Sequence, residues 1–420
     1  MAGPNDTGAL RRSQRGLDWL SFFIADVQTG FGPFVAVYLA FSGWSPGAIG
    51  MVLAIGSLAD VLSQTPGGAL VDASPAKRLL IGLALAAVAA GALIFALWPS
   101  FWPIMAAELL HGLTGGIIRP GLAAIGLGLV GHRALSGRLG RNQRFNSLGN
   151  AVTAGSMGLL GYFVSVRAPF FAAAALCVPA AIALAMIRGR DIDYAEARSA
   201  ADRNNPRRGS RLREAARNRH LHTFIFCLVL FQFANASLVP LASGRLGHQH
   251  ENGFVLFTSG VVLIPQLVAA SIATWVARRA DDWGRKPLML AALGAVAIRA
   301  VLFAVTSSNW VLLPVQALDG ISAAMIGVMM PLVIADLTRG TGRYNLAQGF
   351  AGTAIGIGAA VSTGTSGYVV EHLGYATGFF GLAAVGLIGC AVLYWFVPET
   401  KPAEERASWR DSAGKREAAA

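Results

Sequence analysis

The chain of 420 residues is 54% apolar and only 13% charged, with 50 glycines. A soluble chain carries about a quarter charged residues because its surface must face water, so this composition excludes an ordinary soluble, disordered or coiled-coil protein and leaves embedding in a bilayer. The formal charge of +12 would point to nucleic acid in a soluble chain; here the placement of the basic residues decides its meaning.

In chain order, a tail over 1–16 carries Arg11, Arg12 and Arg15 and runs into an apolar stretch without a small-residue cleavage site, which predicts a retained first span rather than a signal peptide. A hydrocarbon core about 30 Å thick takes roughly 20 apolar helical residues. Twelve such stretches lie near 17–41, 46–70, 78–98, 101–130, 146–166, 168–187, 221–242, 254–277, 287–306, 310–336, 347–370 and 375–397. Residues 188–220 are polar and Arg-rich and read as a solvated linker, and 401–420 as a second tail. The expected fold is an all-α membrane protein of twelve transmembrane helices in two pseudo-symmetric six-helix halves, 17–187 and 221–400. Cys177, Cys227 and Cys390 sit scattered in apolar runs, with neither disulfide nor metal spacing. No cofactor or metal is expected; His248, His250 and Glu251 in an external loop read as a solvated turn rather than a metal site.

Positive residues are held on the cytoplasmic side of a membrane. With both ends inside, 30 of the 34 basic residues fall in cytoplasmic segments; Arg167 and Arg245 lie outside, Arg119 and Arg299 within spans. The charge excess is therefore a topology signal, not a nucleic-acid footprint. It predicts a multi-pass protein of the cell membrane, the inner membrane in a bacterium, with both termini cytoplasmic.

The halves repeat each other. ELLHGLTGG from Glu108 parallels QALDGISAA from Gln316, which sets His111 opposite Asp319 and Gly112 opposite Gly320. A basic turn and an aromatic-Asn pair follow in each half, Arg144-Phe145-Asn146 and Arg343-Tyr344-Asn345, and then GLLGY to Tyr162 and GTSGY to Tyr368. Such internal repeats are how many transporters are built. The loop ARRADDWGRKPLML, with Asp281, Gly284, Arg285 and Lys286, and the loop GGALVDASPAKRLL, with Gly68, Asp72 and Lys77, resemble the signature G-x-x-x-D-x-x-G-R-K of the major facilitator superfamily, except that Pro75 replaces a glycine. The ending Val397-Pro398-Glu399-Thr400-Lys401 is similar to that superfamily's closing motif. The resemblance implies that these loops join the second and third helices of each half and gate the cytoplasmic seam. As exposed ion pairs they would be weak, roughly 0 to 1 kcal/mol each, which suits a reversible latch.

A charge near the bilayer centre costs at least about 2.5 kcal/mol, so it needs a partner, a cavity or a function. The candidates for substrate binding or proton coupling are Asp26, Asp60, Glu108, His111, Arg119 and Asp319. Asp26 and Arg119 lie at similar depths, roughly 13 and 16 Å from the cytoplasmic ends of their spans. The resemblance places both spans on the central cavity, so Arg119 would pair with Asp26, meet an anionic substrate, or snorkel outward; Asp60 would join the same group. Glu108 and His111 share one helical face, a carboxylate and an imidazole suited to binding protons. Arg299 matches Asp319 in depth, which allows the two to pair, but the resemblance puts its span at the periphery, so packing or snorkelling is its first expected role. Asn146, Asn150, Gln232, Asn235 and Gln266 would bind substrate or join helices, and Gly155, Gly158 and Gly161 would allow close helix packing.

The expected function is secondary transport by alternating access, as a monomer in the lipid bilayer, with protons as the coupling ion and efflux of a small organic compound or drug as the first reading. Uptake of an organic anion through Arg119 is the alternative. A membrane-embedded enzyme is the competing class; it would need a membrane-boundary constellation such as two nearby carboxylates or a His with a nucleophile, plus a sizeable catalytic loop, and the longest loop has neither His nor Cys before His220 and reads as a linker. No Walker phosphate loop supports ATP-driven transport.

Overall fold

The computed structural model describes residues 4–29, 35, 38, 39, 42–44, 46–198, 218–247, 251–306 and 308–401, with the side chains of some helical positions, Asp26 among them, outside that description. Its helices are α1 (Pro4–Thr29), α2 (Pro46–Ala73), α3 (Lys77–Leu97), α4 (Phe101–Val130), α5 (Leu135–Phe163), α6 (Ala168–Met186), α7 (Arg219–Ala236), α8 (Leu238–Gly247), α9 (Glu251–Trp283), α10 (Lys286–Val305), α11 (Asn309–Leu337) and α12 (Tyr344–Phe396). Helix is the form that satisfies its own backbone in hydrocarbon. Among the described residues seven helices are long and apolar enough to cross a membrane.

Two of the expected spans share α12, which is 53 residues long and breaks at Gly374, where φ is 83° and ψ 165°. Another span is discontinuous: α7 ends at Ala236, Ser237 forms a turn, and α8 begins at Leu238. The tail expected over 1–16 is helical from Pro4. Residues 189–198, read from sequence as solvated linker, contain two 3-10 turns with Ile192 and Ala197 buried. The N–H of Asp193 donates to the Gly128 carbonyl at 2.9 Å, which ties this segment to α4.

The described residues fall into two compact units. One lies within Met1–His132, Arg141–Arg208 and Gly340–Ile357; the other lies within Arg133–Gly140, Gly209–Arg339 and Gly358–Ala420. In the first, Phe95 and Phe170 stack at 5.1 Å and the Tyr38 hydroxyl donates to the Phe95 carbonyl at 2.8 Å, joining α3, α6 and Tyr38 in one apolar core. Helices α2 and α4 approach closely because glycines remove the side chains between them. A Cβ at Gly112 would overlap the Gly56 carbonyl, and one at Gly116 the Ser63 carbonyl. Ser63 donates to the Gly112 carbonyl at 3.1 Å across the same seam. Without a hydrophobic drive between helices in lipid, such contacts supply the association.

In the second unit α9 and α11 pack together in the same way, and a Cβ at Gly320 would overlap the Pro265 carbonyl. The parallel of Gly112 with Gly320 is thus a packing equivalence. The three glycines expected to pack span five behave otherwise: among the described residues a Cβ at Gly155 would meet nothing within 4 Å and one at Gly161 only Pro169 at 3.7 Å. Close packing of this span falls instead at Gly149, where a Cβ would strike the Phe22 carbonyl.

Gly112→Leu should therefore destabilise the purified protein by about 1–3 kcal/mol through overpacking, read as a lower Tm in detergent. Gly155→Ala should leave Tm unchanged or slightly raised, since it adds helix propensity without a clash.

Candidate functional site

The polar residues of the first unit gather on the α2–α4 seam. Glu108 is buried, and its carboxylate lies where a Cβ at Gly56 would stand. It has no hydrogen-bond or ion-pair partner among the described residues. His111 follows one turn later on α4, partly buried. One turn along α2 from Gly56, Asp60 occupies the space that Gly115 leaves free of a Cβ and accepts from Gln64 Nε2 at 3.3 Å. Arg119 Nη2 stands 3.8 Å from Asp60 Oδ2, with side chains 54% and 30% exposed. The pair is accessible, unlike Glu108. Asp26, expected as the partner of Arg119, has its side chain outside the described residues; Asp60, the secondary candidate, is the carboxylate beside Arg119.

In the second unit Arg299 Nη1 donates to Asp319 Oδ1 at 2.6 Å and to Asn235 Oδ1 at 2.8 Å. The expectation that Arg299 packs or snorkels at the periphery is overturned. Its side chain is fully buried, paired, and set over the Phe303 ring at 5.4 Å. Equal depth in the membrane was the signal for this pair; the assumed peripheral position of its span hid it.

The two signature loops bind helix ends. Asp72 is buried and accepts from Asn345 Nδ2 at 2.6 Å, the Leu346 N–H at 2.8 Å and the Asn345 N–H at 3.4 Å. The two backbone amides are orphan donors of the first turn of α12, where a carboxylate is favoured by the helix dipole. Gly68, one turn earlier, admits the Asn345 carbonyl, which a Cβ would strike. Asn345 also donates to the Ala197 carbonyl at 3.1 Å, so the folded head of the linker joins this clasp. Lys77 is buried and donates to the Val71 and Ser74 carbonyls.

In the later loop Asp281 accepts from Ser136, at the start of α5, at 2.5 Å. Gly284, at φ 94°, lies against the Glu399 carboxylate, which accepts the N–H groups of Arg285 at 2.9 Å and Lys286 at 3.1 Å and so caps α10. Arg285 is buried, bonded to Asp336 at 3.2 Å and to the Ala280 carbonyl at 2.8 Å, with Asp281 at 3.7 Å. Lys286 donates to the Tyr394 carbonyl at 2.6 Å. The expectation of exposed, weak pairs therefore needs correcting: Asp72 and Arg285 are each 3% exposed and bonded several times over. The roles of Asn345, Glu399 and Asp336 were missed, because partners so distant in sequence leave no local pattern. Asp18, buried and 2.5 Å from Arg141, was missed for the same reason.

His248 and His250 lie outside the described residues, as does the side chain of Glu251; among the described residues no group of His, Cys, Asp or Glu is arranged to hold a metal.

The sequence model of the Major Facilitator Superfamily matches residues 19–280 and 260–418. The chain belongs to the major facilitator superfamily. It is 36% identical over 408 residues to the uncharacterized MFS-type transporter MT2531 of Mycobacterium tuberculosis (strain CDC 1551 / Oshkosh), covering 96% of this chain and 97% of the relative. Among solved structures, the human organic anion transporter MFSD10 (TETRAN) aligns with TM-score 0.69 at 19% identity over 93% of this chain and all of that one. The Escherichia coli fucose:proton symporter FucP aligns with TM-score 0.71 at 16% identity over 90% and 97%. At these identities the structural likeness shows the fold alone. As a major facilitator superfamily member the chain is a membrane-embedded transporter rather than an enzyme, with the superfamily's all-α fold of two six-helix halves.

Burial pushes the Asp72 carboxyl above the usual aspartate range, against its hydrogen bonds from Asn345 and Leu346 and the nearby Lys77 charge. A carboxyl raised in the folded protein contributes stability that is full below the ordinary aspartate pKa and lost as pH rises through the raised value. The Tm advantage of wild type over Asp72→Asn should therefore shrink between about pH 4 and about pH 7.5. Thermal unfolding at both pH values checks this; an advantage that grows with pH contradicts it.

Proposed function

We propose that this transporter is a proton-coupled exporter of a small organic compound, residing in the cell membrane with both termini cytoplasmic. Halves 17–187 and 221–400, joined by the linker 188–220, are the two bodies of an alternating-access cycle. The observation that carries proton coupling is Glu108: a carboxylate buried on a membrane helix with no cation or donor beside it among the described residues. A charge left so is costly, and binding a proton removes the cost. His111, on the same face one turn away, offers a route for that proton.

The Asp60–Arg119 pair is the reading's substrate contact, because it is accessible where Glu108 is not. A half-exposed guanidinium on a membrane helix also favours the second reading, uptake of an organic anion, in which Arg119 would grip the anionic group. The direction of a proton-driven flux separates the two.

With a compound found by thermal-shift screening, an imposed pH gradient should drive its flux in proteoliposomes of the wild type. Glu108→Gln should lower gradient-driven flux at least about tenfold, equivalent to ~1.4 kcal/mol, while exchange without a gradient persists. Full gradient-driven flux in that variant would remove Glu108 from the coupling. Arg119→Gln should weaken binding of an anionic compound and leave a neutral one unaffected.

A further inference from the structure

Gln64 sits between two features of the first unit. Toward α4, the Asp60 carboxylate has two polar partners among the described residues, and both reach the same oxygen: Arg119 Nη2 stands 3.8 Å from Oδ2, and Gln64 Nε2 donates to it at 3.3 Å. The other oxygen, Oδ1, lies against Gly115, where a Cβ would strike it. The carboxylate is thus fixed on one side and shared on the other.

Toward α12, the stretch of that helix within the first unit, up to Ile357, lies tightly along α2. A Cβ at Gly349 would overlap the Gln64 carbonyl, one at Gly352 the Gln64 Oε1, and one at Gly356 the Val61 side chain. Spaced three and four residues apart, these glycines share one helical face. Thr353 donates to the Val61 carbonyl at 3.0 Å, and the Thr65 and Thr353 hydroxyls pair at 2.8 Å. Gln64 is buried, so the end of its amide fills the slot that Gly352 leaves, while its side-chain hydrogen bond among the described residues goes to Asp60.

We propose that Gln64 is a positioning residue of the transport cycle, making the packing of α12 on α2 depend on whether Asp60 holds Arg119. A solute group that draws Arg119 away leaves Gln64 as the remaining donor to a charged oxygen. Hydrogen bonds to a charged group are shorter and stronger than neutral ones, and a bond of 3.3 Å has room to tighten. As it tightens, the amide moves toward Asp60 and leaves the Gly352 slot. Helix α12 then loses a packed neighbour in a setting where packing is what holds helices together. By sequence α12 belongs to the half 221–400, so this contact has to loosen in an alternating-access cycle. The inference rests on the reading of Asp60–Arg119 as the solute contact, and adds how occupancy there reaches α12.

The test uses the full-length protein in liposomes, with neither solute nor gradient, and Arg119→Gln stands for the displaced guanidinium. Both members of the pair are partly exposed, so this variant leaves no buried charge unmet. Hydrogen exchange of the peptide over 346–357 should rise at least about fivefold above wild type, the lower end of ordinary coupling between sites, while exchange over 81–92 in α3 stays unchanged. In a Gln64→Met background, which keeps the length of the side chain and removes the amide, Arg119→Gln should cause no rise. Gln64→Asn keeps an amide but is a methylene too short to span from Asp60 to the slot; it should abolish the response as well, and it serves should Gln64→Met not fold. No rise in Arg119→Gln, or an equal rise in the Gln64→Met background, overturns the proposal and leaves Gln64 a packing residue. Whether the pair is the solute contact is decided separately, by the binding of an anionic compound to Arg119→Gln.

Discussion

A charge in hydrocarbon has to be met by an opposite charge, a hydrogen-bonding partner or a proton, and this constraint arranges the interior of the molecule. Asp60 is met by Arg119 and Gln64, Asp319 by Arg299, and Arg299 also by Asn235. Glu108 is met by none of these. Close approach makes the pairing reachable. Where Gly112, Gly115 and Gly116 strip α4 of side chains, α2 comes near enough for Asp60 and Ser63 to contact it. The glycines that pack the seam are therefore also what positions its polar groups.

At the helix ends the same constraint takes another form. The first amides of a helix have no internal partner, and here acidic side chains from other elements supply it: Asp72 to α12 and Glu399 to α10. The two signature loops are related but differ in detail. Gly68 gives way to the backbone of Asn345, whereas at the corresponding place in the second unit the small residue is Gly140, which admits Ala277. Burial works against the ionised form of Asp72 even as three donors favour it. A contact balanced in this way can be strong in geometry and still reversible.

Much of this was legible in the sequence, and the reason is dimensional. Span length, basic loops and the Gly112–Gly320 repeat follow from bilayer thickness, positive-inside bias and helix packing, all of which act locally along the chain. The break at Gly374 falls between the two spans expected there. Depth could be read as well, which is why Asp319 and Arg299 were recognised as level. Facing could not, since it depends on how helices far apart in sequence pack. The nearness of Asp60 to Arg119, the burial of Arg299 and the part of Asn345 in the Asp72 clasp are all of that kind. The linker head was missed for a related reason: Ile192 and Ala197 are two apolar residues in a charged stretch, and the space left by the missing side chain of Gly128, far away in sequence, gives them a place to dock.

The central claim is that Glu108, a buried carboxylate on α4 with no partner among the described residues, takes and releases a proton as the transporter works. A pH jump applied to the reconstituted protein on a solid-supported membrane, with no solute present, tests this most directly. The account predicts a transient proton-binding current in the wild type and in Asp60→Asn, and none in Glu108→Gln. A transient in Glu108→Gln equal to that of the wild type would contradict it.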